Sequence, residues 1–156
     1  MPIADRDQAM RDDEGAELSL SDAARQTLEQ AARCLGLSQM DARDVASASM
    51  LSIDGYRIIV MEAPAETQLP MCKLMLVTRL DMLDVEDAAT LRLVLQTNVH
   101  ATMCLGATAA MDGDGRLLLT LALHTEFYDP PSLASTLLRF GAMAREFAEL
   151  KTPRRH

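Results

Sequence analysis

The chain has 156 residues, 49% hydrophobic and 24% charged, which suits one globular domain with its own core and excludes a disordered polyelectrolyte. A formal net charge of −8 and a pI of about 4.8 set the whole-molecule field against nucleic acid and anionic membrane. Aromatic residues stand at 3% with no Trp, which removes stacking platforms for bases or sugars.

Residues 1–18 carry Asp5, Asp7, Asp12, Asp13, Glu14 and Glu17 against Arg6 and Arg11. Their apolar content is too small to offset the entropy of ordering, so a mobile acidic leader is expected. Met1–Asp5 lacks the basic region and apolar core of a signal peptide, and no run reaches the length of a membrane span. The expectation is a cytoplasmic protein without membrane insertion. Residues 19–150 read as a single domain. Ser19-Leu20-Ser21-Asp22 is a helix start signal. Ala24, Leu28, Ala31 or Ala32, and Leu35 then recur at helical spacing up to the stop at Gly36. Arg25, Gln26, Glu29 and Arg33 make the opposite, solvated face.

Three strands are expected between Ser47 and Leu80. Ser47–Ile53 and Tyr56–Glu62 are joined by Asp54-Gly55, a two-residue hairpin signal. Residues 63–70 form a loop, and Met71–Leu80 is the third strand. Neither face of these strands is cleanly polar. Tyr56, Ile58 and Val60 oppose Arg57, Ile59 and Met61, while Leu74, Leu76 and Leu80 oppose Met75 and Val77, flanked by Lys73 and Arg79. A sheet with one face in water alternates more strictly, so something covers the second face or it awaits a partner.

Asp84 reads as the cap of a long central helix, with Glu86 and Asp87 where the helix dipole favours acids. At 100° per residue Ala88, Leu91, Leu95, Val99 and Thr102 share a face, yet Leu93, Val94 and Ala101 fall outside it. Such girth exceeds what a helix lying on one sheet needs, which points to a subunit contact. A second hairpin follows: Gly106–Met111, a turn at Asp112-Gly113-Asp114-Gly115, and Arg116–Thr125. Asp129-Pro130-Pro131-Ser132 opens the last helix, whose stripe is Leu133, Leu137, Phe140, Ala144 and Phe147. Residues 151–156 form a short basic tail, expected to fray.

Sites of chemistry are sparse. Cys34, Cys72 and Cys104 have no ligand spacing and are expected as buried, inert thiols. His100 and Cys104 are one helical turn apart, but no third group orients the base and no Gly-rich oxyanion element adjoins them. The turn at 112–115 lacks the later ligands of a calcium loop, and there is no phosphate loop. The reading is a protein without catalytic, metal or cofactor residues.

The order is α-β-β-β-α-β-β-α: an α+β fold with an antiparallel twisted sheet of about five strands and helices packed on it. That order, the acidic pI, Leu35-Gly36-Leu37, and the phrase from Asp112 to Leu119 resemble the class I type III secretion chaperones, the CesT/Tir-chaperone family. The resemblance implies a homodimer built on the central helix and its hairpin. It also implies that an N-terminal segment of a secreted effector is held extended on apolar patches, soluble and secretion-competent without ATP. The long leader and the loop at 63–70 depart from that pattern. Dimer residues are then expected at Leu91, Val94, Leu95, Asn98 and Thr102, and effector-binding residues at Leu28, Leu35, Ile59, Met61, Met75 and Val77. Two alternatives stay open: these strand residues face the last helix as core, or the fold serves a small dimeric regulatory or ligand-binding domain without a secreted client.

Overall fold

A computed structural model describes residues 20–62, 72–124 and 129–150. The expected leader, the loop at 63–70 and the tail at 151–156 lie outside the described residues. The elements are α1 (Asp22–Cys34), α2 (Gln39–Ala48), β1 (Met50–Ile53), β2 (Tyr56–Glu62), β3 (Cys72–Arg79), α3 (Ala88–Leu105), β4 (Thr108–Met111), β5 (Leu117–His124) and α4 (Pro130–Ala148). The strands form one antiparallel sheet in the order β1-β2-β3-β5-β4.

Each helix starts where a side chain can satisfy the first free N–H groups. Ser21 accepts from the Ala24 N–H, and its own N–H and hydroxyl donate to Glu62 at 2.6 and 3.0 Å, tying α1 to the end of β2. Asp129 accepts from the Ser132 N–H at 3.1 Å, with Pro130 in the first turn of α4. For α3 the cap is Asp87 and not Asp84. Asp87 accepts from the N–H groups of Ala89 and Thr90 and from the Thr90 hydroxyl at 2.6 Å. Asp84 instead closes a turn with the Glu86 N–H.

The stretch expected to enter a strand at Ser47 is helical through Ala48, so α2 is an element the sequence reading lacks. Ser38 caps it, bonding to the Asp41 N–H at 3.1 Å and to the Asp41 carboxylate at 2.6 Å. It buries only Ala42 and Ala46, too little apolar surface to announce itself by periodicity. Ser49, left-handed at φ 52°, ends the helix and turns the chain into β1.

Both hairpins form at the expected turns. Asp54 and Gly55 have φ of 52° and 83°, the positive pair a two-residue turn requires. In the second hairpin the Asp112 carboxylate accepts from the N–H groups of Asp114 and Arg116 at 2.9 and 2.8 Å. It is thereby engaged by its own turn.

The core lies between one sheet face and the helices. Ile58, Val60, Leu74, Leu76, Leu119 and Leu123 meet Leu28 of α1 and Phe140 and Phe147 of α4 in one buried cluster. All five residues of the expected α4 stripe are buried. At Gly141 the helix approaches β1 so closely that an added Cβ would stand 2.6 Å from Ile53 Cγ2.

Candidate functional site

Two apolar surfaces remain uncovered among the described residues. The first is the outer side of α3. Thr90, Val94 and Ala101 make its buried side, while Leu95, Val99 and Met103 are 66%, 61% and 82% exposed. Met111 of β4 adds another exposed methionine. At 100° per residue the stripe of Leu91, Leu95, Val99 and Thr102 is the outward one; of the residues outside it, Val94 and Ala101 are core and Leu93 is half-buried. Val94 is thus removed from the expected dimer set: at 3% exposure it packs within its own subunit. Leu91 is half-buried and Thr102 exposed, its hydroxyl bonding to the Ala107 carbonyl at 3.1 Å.

Asn98, also expected at the dimer contact, has a definite task inside the chain. The Asp112 N–H bonds to the Arg116 carbonyl, and the β4–β5 ladder alternates from there through Ala110 and Leu118. Ala109 therefore directs its N–H and C=O away from β5, toward the sheet edge. The Asn98 amide meets both: Oδ1 accepts from the Ala109 N–H at 2.7 Å, and Nδ2 donates to its carbonyl at 3.3 Å. A side-chain amide stands where the peptide of another strand would, and so closes the β4 edge at its centre.

The other edge is open. Val60 N–H bonds to the Ser49 carbonyl, and Leu51 and Ile53 pair with Ile58 and Tyr56. By the same alternation Met50 and Ser52 direct their backbone groups outward, where they find no partner among the described residues.

The second apolar surface is the sheet face turned away from the helices. Ile59 faces Val77 and Met61 faces Met75 across the β2–β3 ladder, and Thr120 and Ala122 of β5 continue the face. All six side chains are half-buried. Their strand neighbours Ile58, Val60, Leu74 and Leu76 are fully buried under the helices. Leu28 and Leu35, expected to bind effector together with these strand residues, do not lie on this face. Leu28 is fully buried in the core on the other side of the sheet, and Leu35 packs half-buried against that same core. Helix α1 and the Ile59–Val77 face lie back to back.

Cysteine placement differs from expectation: Cys34 and Cys104 are exposed, and the Cys72 side chain lies outside the described residues. Cys104 Sγ is 3.4 Å from His100 Nδ1. Both flank the outward side of α3, and among the described residues no group of three or more His, Cys, Asp or Glu could hold a metal. Nor is any described helix long and apolar enough to cross a membrane.

A small α+β domain that leaves one helix face and one sheet face apolar and uncovered is built to meet other polypeptides. The sequence profile of the Tir chaperone protein (CesT) family matches residues 26–148, most of the chain, and the protein belongs to that family. Among solved structures it is similar to the Yersinia pestis type III secretion chaperone SycH, crystallised in complex with a stable fragment of YscM2. The TM-score is 0.54 at 18% identity, over 80% of this chain and 98% of that one. No curated protein sequence matches the chain.

Proposed function

We propose that this protein is a cytoplasmic type III secretion chaperone that holds an extended segment of a secreted effector and keeps it soluble and secretion-competent without ATP. The observation that carries the reading is the uncovered sheet face centred on Ile59, Met61, Met75 and Val77, in a chain of the CesT family. Its client lays apolar side chains on that face and pairs its backbone with the open β1 edge at Met50 and Ser52. Burying a Leu- or Ile-sized anchor contributes about 1.5–3 kcal/mol, so a few anchors outweigh the cost of ordering the segment.

Two copies join through the outward side of α3, at Leu91, Leu95, Val99 and Met103, with Met111 of β4 beside them. The α3 contact and the client face are separate surfaces, so a dimer presents two client sites.

The test is co-expression with the reading frames that neighbour its gene, purification of the tagged protein, and limited proteolysis of what it retains. The expected result is a stoichiometric complex with a protected segment near the N-terminus of one partner. Retention of no such polypeptide would refute the reading.

A further inference from the structure

One end of the client face carries two cations, of which only one has an acidic partner among the described residues. Ile58 faces Thr78 and Ile59 faces Val77, which places Arg57 and Arg79 side by side on the uncovered face, at the same end of β2 and β3. Like charges set against each other across a ladder weaken it. Arg79 has a partial partner in Asp81, Nε to Oδ1 at 3.2 Å, with both side chains about half exposed. Arg57 has no acidic partner among the described residues. Arg57, Arg79 and Asp81 line a hollow of about 360 Å³, with Tyr56, Ile59 and Met82 among its other walls, so that two cations face one carboxylate there. In a chain of net charge −8 this is a cationic spot at the end of an apolar track.

We infer that this hollow reads a carboxylate: an Asp or Glu side chain of the extended client, set two residues from an apolar one. The inference rests on the chaperone reading above and adds the register of the bound segment. Ser52 of β1 stands directly between Arg57 and the open edge, and Met50 stands likewise beside Ile59. A strand added beside β1 lies two strand spacings from β2, roughly 9–10 Å, which a long Arg side chain and a carboxylate span together over a small serine. Its residue next to Ser52 meets Arg57. The residue two further along, next to Met50, meets Ile59 about 6.6 Å away along the strand. Apolar contacts alone tolerate sliding by two residues, since each step presents another apolar side chain. A single carboxylate paired with a planar guanidinium does not, and it sets which two-residue frame is occupied.

The test uses the full chain and a displayed library of random ten-residue peptides. Wild-type protein is expected to enrich peptides with Asp or Glu two positions from an apolar residue. Arg57→Gln is expected to keep the apolar preference and lose the acidic one. A selected peptide and its Glu→Gln counterpart, compared by fluorescence anisotropy, should differ about tenfold on wild type, less at high salt, and not on Arg57→Gln. Arg57→Lys should retain part of the difference. Because Arg57 is exposed and faces a like charge, Arg57→Gln should melt no lower than wild type. Apolar enrichment without an acidic position, or an acidic position that survives Arg57→Gln, overturns the inference while leaving the chaperone reading intact. No enrichment of any pattern overturns both. A variant with Asp12, Asp13 and Glu14 changed to Asn, Asn and Gln separates the remaining occupant. If acidic peptides are selected only by that variant, the chain's own leader holds the site and the client assignment fails.

Discussion

Val94 and Leu95 are consecutive residues of α3 with opposite environments, 3% and 66% exposed, and they separate the core side of the helix from the proposed contact side. In a two-fold contact on the outward side, Leu95→Asp acts twice. Full burial of a leucine contributes about 1.5–3 kcal/mol, so with two thirds of the side chain available each copy loses roughly 1–2 kcal/mol of contact. Each copy must also bury a carboxylate without a partner, at a cost of at least about 1–3 kcal/mol. Together the pair loses about 4 kcal/mol or more, which is about a thousandfold in dissociation constant. Light scattering on eluting protein should find a folded monomer whose circular dichroism matches wild type. Val94→Asp should behave differently, because the charge enters the buried apolar core of the subunit. A loss of that size consumes much of a domain stability of about 5–15 kcal/mol, so the variant should be unfolded or aggregated. Leu95→Asp protein that stays dimeric with unchanged stability would refute the assignment of this face. A Val94→Asp variant that melts like wild type would refute the burial argument.

On the client face, Met61→Glu and Val77→Glu should leave the thermal midpoint near wild type, since both side chains are half-buried and lie outside the core, and should abolish effector retention in pull-down. A midpoint far below wild type would show that the face is covered within the domain. Gly141→Ala gains about 1 kcal/mol of helix propensity but forces a methyl to 2.6 Å from the β-branched Ile53, an overpacking cost of about 1–3 kcal/mol. Its midpoint should fall, by about 2–4 °C per kcal/mol lost, and a rise would show that α4 can back away from β1. Asn98→Ala removes the amide that holds both backbone groups of Ala109, so hydrogen exchange at the Ala109 N–H should accelerate. Unchanged protection there would mean that the edge is closed by something else.

Much of the fold is legible in local chemistry. The α4 stripe repeats at 3.6 residues with a Pro-rich start, and every member of it is buried. Asp54-Gly55 and the turn at 112–115 form hairpins because positive φ and side-chain bonds to the turn backbone are properties of those residues alone. Helix α2 escapes such reading since Ala42 and Ala46 are its only buried residues. The cap at Asp87 escapes it too, because Asp84 and Asp87 carry the same chemistry and only the path of the chain selects between them.

The candidate site divides along the same line. The excess of apolar surface on α3 and on both faces of β2 and β3 belongs to the sequence, and so does the pairing of that excess with a flanking Arg57 and Arg79. Which surface faces outward does not. Ile58 and Val60 alternate with Ile59 and Met61 as near equals in hydrophobicity, and the stripe through Leu95 is no less apolar than the one through Val94. The choice was made by α1 and α4 settling on one side of the sheet, where Phe140, Phe147 and Leu28 fill the space over Ile58 and Leu76. Sheet order then placed β4 under Asn98 and left β1 open. Hydrophobic burial is non-directional, so composition and period state how much surface must be covered, and only the packing of distant segments decides what is left bare.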